Sequence, residues 1–225
     1  MNAVLHIKSD HEQIRRHREG LARRVLNEFS FTPPSNPQVL CYLDDRDVEW
    51  LMWYTIAPVD PVSNTISWPY VSVIYLHGST CESDIQLAMT LAHELQHFVQ
   101  FVSDRQLWAV HLLLTKLPGL PAHNLKHWFD LPNEIEARII AKRAAEKLFG
   151  QAEVERHIAM MIAARTSDED AADWEFIRTL DPNSNYDMRE RTIPLVNDHR
   201  SQLEYLKTMI FANDKDLGAV DFNLQ

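Results

Sequence analysis

Residues 84–103 read DIQLAMTLAHELQHFVQFVS. Wound into a helix, this stretch places apolar side chains on more than one side, and a helix that is apolar nearly all round is a buried one. Ser83 or Asp84 is the expected N-cap, because each has a side-chain oxygen that can accept a backbone N–H. The stretch therefore predicts a long helix, over about 84–103, in the protein core.

The middle of this helix reads HELQH, at residues 93–97. Residues four apart stack on one face of a helix, so His93 and His97 can bind one metal ion. Glu94 lies about 100° further round and can reach a water on that metal. Burying two His and a Glu in an apolar helix is costly without partners, which a metal supplies. The pattern predicts metal-assisted hydrolysis; the alternative is two hydrogen-bonded core histidines and a surface Glu.

A catalytic zinc ion usually has three protein ligands, so a third donor is needed. Metzincins have a third His at the position that Ser103 occupies here, which excludes that subclass. His111 follows His97 by 14 residues. On a continuous helix it would lie roughly 21 Å further along the axis, so it qualifies only if the chain bends near Ser103.

The preferred third ligand is Glu134, at the start of a helix predicted over about 133–149. Glu134, Ala137 and Ala141 share one face of that helix. The two small residues let it pack closely against the HELQH helix, as a third ligand requires. Glu136, two residues on, is the rival ligand.

Further polar residues are candidates for roles in the site. His123 and His127 form a second His pair in a Pro-rich loop, where they could line the cleft, stabilise an oxyanion or replace Glu134. Tyr186, Arg189 and His199 are additional candidates for stabilising an oxyanion.

The HELQH motif, followed 37 residues later by the E-x-x-A pattern that begins at Glu134, resembles the zincin metallopeptidases with a Glu ligand on a second helix. These are the gluzincins and the compact zincins related to them. The short connection is more similar to compact bacterial and mobile-element peptidases, including those that cleave repressor proteins. The resemblance covers about residues 71–148. It implies that His93, His97 and Glu134 bind one Zn²⁺ per chain, with Glu94 as the general base that hydrolyses peptide bonds in a protein or peptide substrate.

The resemblance has one departure and one further implication. Many gluzincins have an Asp that orients a ligand histidine where this chain has Arg138, and an Arg cannot accept an imidazole N–H. The family also has an edge strand before the active-site helix, which implies that residues 70–76 hold an extended peptide by backbone pairing.

The predicted fold is a single α+β domain over residues 1–225, with a small antiparallel sheet packed on a mostly helical domain. The three short runs rich in β-forming residues within 39–76 suggest the sheet. The expected helices are the N-terminal helix 10–29, the active-site helix 84–103, the third-ligand helix 133–149 and C-terminal helices to about 212.

The composition limits the classes of partner and the compartment expected for this protein. The chain has 22 Lys+Arg against 32 Asp+Glu, a net charge of −10, which argues against nucleic acid or anionic lipid as a partner. Two Cys and no signal-peptide pattern favour the cytoplasm, although export without a cleavable signal stays open. The alternatives to a peptidase are a zincin-like metal-binding regulatory or interaction module without catalysis, and a metal-free helical binding protein.

Overall fold

A computed structural model of the chain describes residues 3–8, 12–28, 39–44, 53–57, 71–77, 83–117, 130–164, 168–211 and 219–224. The chain divides into two compact units. One comprises residues 1–99 and 140–154, and the other comprises residues 100–139 and 155–225. The described helices are α1 (Glu12–Glu28), α2 (Asp84–Ser103), α3 (Arg105–Leu114), α4 (Pro132–Phe149), α5 (Gln151–Ala164), α6 (Asp168–Thr179) and α7 (Met188–Ile210).

Four strands are described in the first unit: β1 (Ala3–Lys8), β2 (Val39–Asp44), β3 (Trp53–Ala57) and β4 (Val71–His77). Their order in the sheet is β1-β2-β4-β3. The β1–β2 and β2–β4 pairs are parallel, and only the β3–β4 pair is antiparallel among the described strands. Parallel neighbours need a crossover connection, and α1 lies between β1 and β2 in the chain as such a crossover.

The core of the first unit joins helical and strand residues. Its buried side chains include Ile74 and Leu76 of β4, the apolar face of α1 and most of α2. Ser83 begins α2, because its Oγ accepts the backbone N–H of Gln86 at 3.1 Å. The helix α4 ends at its C-terminus with Gly150, which adopts φ 89° and donates its N–H to Glu146 O at 2.8 Å. The chain then continues into α5.

The second unit has its own apolar core. Residues from α3, from α7 and from the C-terminal segment form it, and the fully enclosed ones include Leu113, Leu203 and Phe222. The N-cap of α3 is Asp104, whose side chain accepts the N–H of Leu107 at 3.0 Å. The N-cap of α7 is Asp187, whose side chain accepts the N–H of Glu190 at 3.0 Å.

The predicted α+β class, with a small antiparallel sheet on a mostly helical domain, is wrong. Helices account for about 81% of the residues whose side chains the structure describes, so this part of the chain is predominantly helical. The strands that backbone pairing identifies form a mixed sheet with parallel inner pairs. An antiparallel sheet of consecutive strands would pair β2 with β3, whereas β2 pairs with β1 and β4.

The substrate-binding edge strand expected at residues 70–76 is also wrong. The strand β4 pairs with β2 on one side and with β3 on the other, so its backbone groups are used within the sheet. Among the described strands, β1 and β3 are the outer ones. None of the described helices is both long enough and apolar enough to cross a membrane.

Candidate metal site

The two histidines of the HELQH motif lie one turn apart on α2. Their Nε2 atoms are 3.0 Å apart, and the rings stand edge to face with centroids 4.6 Å apart. Leu91, Leu95 and Phe98 on the same helix are fully buried, so packing fixes the helix that carries the two rings. Both imidazoles therefore direct the same nitrogen at one point.

Glu94 follows His93 on α2 and is buried, with 6% of its surface exposed. A carboxylate taken out of water at this depth costs free energy unless something offsets the loss of hydration. Its position directly after His93 turns it about 100° round the helix from that histidine. A buried Glu on the same helix as two candidate metal ligands suits a role in proton transfer.

Glu134 lies in the first turn of α4 and is also buried, with 3% exposed. Backbone N–H groups at a helix N-terminus stabilise negative charge there. Its Oε1 accepts from Asn133 Nδ2 at 3.2 Å, and its Oε2 accepts from Arg138 Nη1 at 3.1 Å. These two donors hold the carboxylate in one orientation.

His93, His97 and Glu134 form a group that could hold a metal ion. One ligand atom from each residue lies within 4.8 Å of the others. Zn–N bonds of about 2.0–2.1 Å in a tetrahedral site place two nitrogen ligands about 3.3 Å apart. The 3.0 Å between the two Nε2 atoms is close to that separation, so the residues present fit a small divalent ion.

Arg138 connects Glu134 to α6. Its Nε donates to Asp173 Oδ1 at 2.9 Å, while its Nη1 donates to Glu134 Oε2 and, at 3.3 Å, to the Glu134 carbonyl. The Arg138 side chain is buried, with 8% exposed. Sequence reasoning missed Asp173, because it ends an acidic run that is typical of a solvated helix start and lies 35 residues from Arg138.

Glu136, the rival third ligand, is hydrogen-bonded elsewhere. Its Oε2 accepts from Gln100 Nε2 at 2.9 Å, and the same Gln100 amide donates to the Asn133 carbonyl at 2.9 Å. Among the described residues, the His-His-Glu group contains Glu134 and not Glu136.

Tyr186 lies just before α7, and the charge of Glu136 affects its pKa. Burial raises the pKa of Tyr186 to about 12; the positive charge of Arg191 opposes this rise, and the negative charge of Glu136 adds to it. The phenol therefore stays protonated at neutral pH. A protonated phenol is a hydrogen-bond donor, which is what an oxyanion stabiliser requires.

The other sequence candidates are not members of this group or lie outside the described residues. The helix does break at Asp104, which was the condition for His111 to act as a ligand. However, His111 is buried, and its Nε2 is hydrogen-bonded to Thr192 Oγ1 at 2.8 Å. Arg189 forms an ion pair with Asp104. His199 Nδ1 is 2.9 Å from Gln202 Oε1. His123 and His127 lie outside the described residues.

No family model, curated protein or solved structure matches this chain. The site combines two imidazole nitrogens, one carboxylate held by an Arg, and a second buried carboxylate on the same helix as the imidazoles.

Proposed function

We propose that this protein is a zinc-dependent metallopeptidase that hydrolyses peptide bonds in a protein or peptide substrate. The observation that supports the proposal is the convergence of His93, His97 and Glu134, whose ligand atoms lie within 4.8 Å of one another. The HELQH motif provides the second support, because it adds a Glu directly after the first ligand.

The donor set favours zinc. Two imidazole nitrogens and one carboxylate oxygen suit Zn²⁺, which binds His and Glu at about 2.0–2.2 Å and, in catalytic sites, takes three protein ligands. Bound there, the ion supplies a Lewis acid that polarises a carbonyl and lowers the pKa of water. The ligand carboxylate of Glu134 offsets part of the positive charge of the ion.

The remaining chemistry belongs to Glu94. As a general base it takes a proton from the attacking water while the oxygen forms a bond to the carbonyl carbon. It then donates that proton to the amide nitrogen as the C–N bond breaks, so the amine leaves neutral. Its burial excludes bulk water that would compete for the proton.

The first test is metal content by elemental analysis of protein purified without an affinity metal. We expect about one zinc per chain in the wild type and none in the His93→Ala/His97→Ala variant. His17→Ala is the matched control, because His17 is an exposed histidine paired with Asp84, and it should keep the metal. A wild-type protein that holds no zinc and takes none up overturns the proposal.

The second test separates catalysis from metal binding. Glu94→Gln should keep its zinc and lower the rate of hydrolysis of a fluorogenic peptide library by about 10²–10⁴-fold. Equal hydrolysis by the wild type and this variant would show that Glu94 is not the general base. Zinc binding without hydrolysis by either protein would leave a metal-binding regulatory or interaction module as the function.

A further inference from the structure

Arg138 is shared between two carboxylates on different helices. Its Nη1 lies 3.1 Å from Glu134 Oε2 on its own helix α4, and its Nε lies 2.9 Å from Asp173 Oδ1 on α6. The side chains of Arg138 and Glu134 are 8% and 4% exposed, whereas that of Asp173 is 35% exposed. Arg138 and Glu134 therefore form a buried ion pair, and the half-buried carboxylate of Asp173 anchors the Arg138 side.

The chemistry of Arg suits this arrangement. Its planar guanidinium presents donors in a rigid fork, so a contact that fixes one edge of the group also fixes the direction of the other. Asp173 fixes the Nε edge, and the Nη1 edge then holds Glu134. The additional bond from Nη1 to the Glu134 carbonyl ties the guanidinium to the first turn of α4.

We propose that Arg138, anchored by Asp173, is a positioning residue that holds the Glu134 carboxylate in the orientation in which it meets His93 and His97. This inference rests on the proposed metal site. It gives α6 a part in metal binding, although the His-His-Glu group found among the described residues includes none from α6.

The charge and the geometry of Arg138 have opposite consequences for metal affinity. A cation beside the ligand carboxylate repels a metal ion, so loss of this charge alone would strengthen binding. A carboxylate without its positioning partner samples other orientations, so loss of the geometry weakens binding. The sign of the change in affinity therefore distinguishes positioning from simple charge repulsion.

The experiment measures Zn²⁺ affinity by competition with a chromophoric chelator. We expect Arg138→Gln to weaken Zn²⁺ binding by about 10–100-fold, the usual effect of removing a partner that orients a ligand. Asp173→Ala should weaken it as well, and the Arg138→Gln/Asp173→Ala double variant should be no weaker than Arg138→Gln alone, because Asp173 acts through Arg138. Arg138→Lys should recover only part of the affinity, since an ammonium cannot bridge both carboxylates with a fixed fork.

Arg178→Gln is the matched control. Arg178 is also an Arg in an ion pair, on α6 with Glu155 at 4.0 Å, but it is exposed and is not part of the His-His-Glu group. Thermal unfolding of the metal-free proteins and the visible absorption of the Co²⁺-loaded proteins complete the test. A purely structural role lowers the unfolding temperature of metal-free Arg138→Gln while leaving its Zn²⁺ affinity and Co²⁺ spectrum as in the wild type.

The outcomes separate this inference from the proposed function. Wild-type protein that binds Zn²⁺, with Arg138→Gln binding equally or more tightly, overturns the positioning role and leaves the metal site standing. Wild-type protein that binds no Zn²⁺ overturns both. Weaker binding in Arg138→Gln and Asp173→Ala, with Arg178→Gln unchanged, supports the positioning role.

Discussion

The Nε2 atoms of His93 and His97 face each other across 3.0 Å. Two nitrogens at this distance have two ways to avoid repulsion of their lone pairs. Either one ring is protonated at Nε2 and donates to the other, or both rings are protonated at Nδ1 and share a cation. The second arrangement replaces one hydrogen bond by two coordinate bonds. Binding of a metal ion would therefore stabilise the folded protein further.

Zinc should therefore stabilise the folded protein. At a free Zn²⁺ concentration 100 times the dissociation constant, we expect about 2.7 kcal/mol of additional stability, seen as a higher thermal unfolding temperature and reversed by a chelator. His97→Ala should remove this shift, and His17→Ala should keep it. An equal shift in His97→Ala would mean that the ion binds elsewhere.

Tyr186 should ionise late. Burial raises the pKa of its phenol to about 12 in the folded state from the usual value of 10.0. Between these values the unfolded chain loses the proton while the folded protein keeps it, so the contribution of this group to stability falls as pH rises from 10 towards 12. Phenolate absorbance should show a component with a midpoint near 12 that Tyr186→Phe removes. The exposed Tyr205→Phe should leave that component in place, and a curve unchanged by Tyr186→Phe would contradict the assignment.

The buried pair of His111 and Thr192 should be needed for stability. Thr192 Oγ1 donates to Met188 O at 2.7 Å, so in its 2.8 Å contact with His111 it accepts the Nε2 proton. Thr192→Val keeps the shape and removes the acceptor, at an expected cost of about 1–3 kcal/mol in the free energy of unfolding. Thr208→Val on the same helix removes an exposed hydroxyl that donates to Tyr205 O, and it should change stability by less than about 0.5 kcal/mol. Equal effects of the two substitutions in chemical denaturation would refute the role of burial.

The core of the second unit should depend on Leu203. This side chain is fully buried in the cluster formed with α3 and the C-terminal segment, so Leu203→Ala should lower the free energy of unfolding by about 2–5 kcal/mol. Met209→Ala, also on α7, truncates a side chain that is 65% exposed and should cost less than about 0.5 kcal/mol. Urea unfolding measures both variants, and a small loss for Leu203→Ala would show that this core tolerates a cavity.

Local sequence patterns predicted the helices well and the sheet poorly. The helix expected over 84–103 spans Asp84–Ser103, because its cap and apolar residues act within a few turns of the same segment. The sheet order depends on which segments meet, which a local pattern does not encode. The strand Ala3–Lys8 was missed, and without it the β1–α1–β2 crossover that makes the first pair parallel was invisible.

The candidate site was predictable where spacing alone determines geometry. His93 and His97 are neighbours because any helix brings residues four apart together. Glu134 and Arg138 pair because they too are four residues apart on one helix, α4. In the sequence, Arg138 stands out only as a departure from a family pattern. The contact with Asp173 had no local signal, because it joins two helices and its partner lies in a run of like charges.

Asp104 separates α2 from α3 with one side chain, which caps α3 and forms an ion pair with Arg189. The residues on both sides of it are helix formers, with neither Gly nor Pro from 84 to 114. An uninterrupted helix over that whole range is thus a competing conformation of this sequence, and the native break between α2 and α3 is favoured by the bonds that Asp104 makes when the helix stops there. The residue specifies the fold by disfavouring an alternative as well as by stabilising the native state.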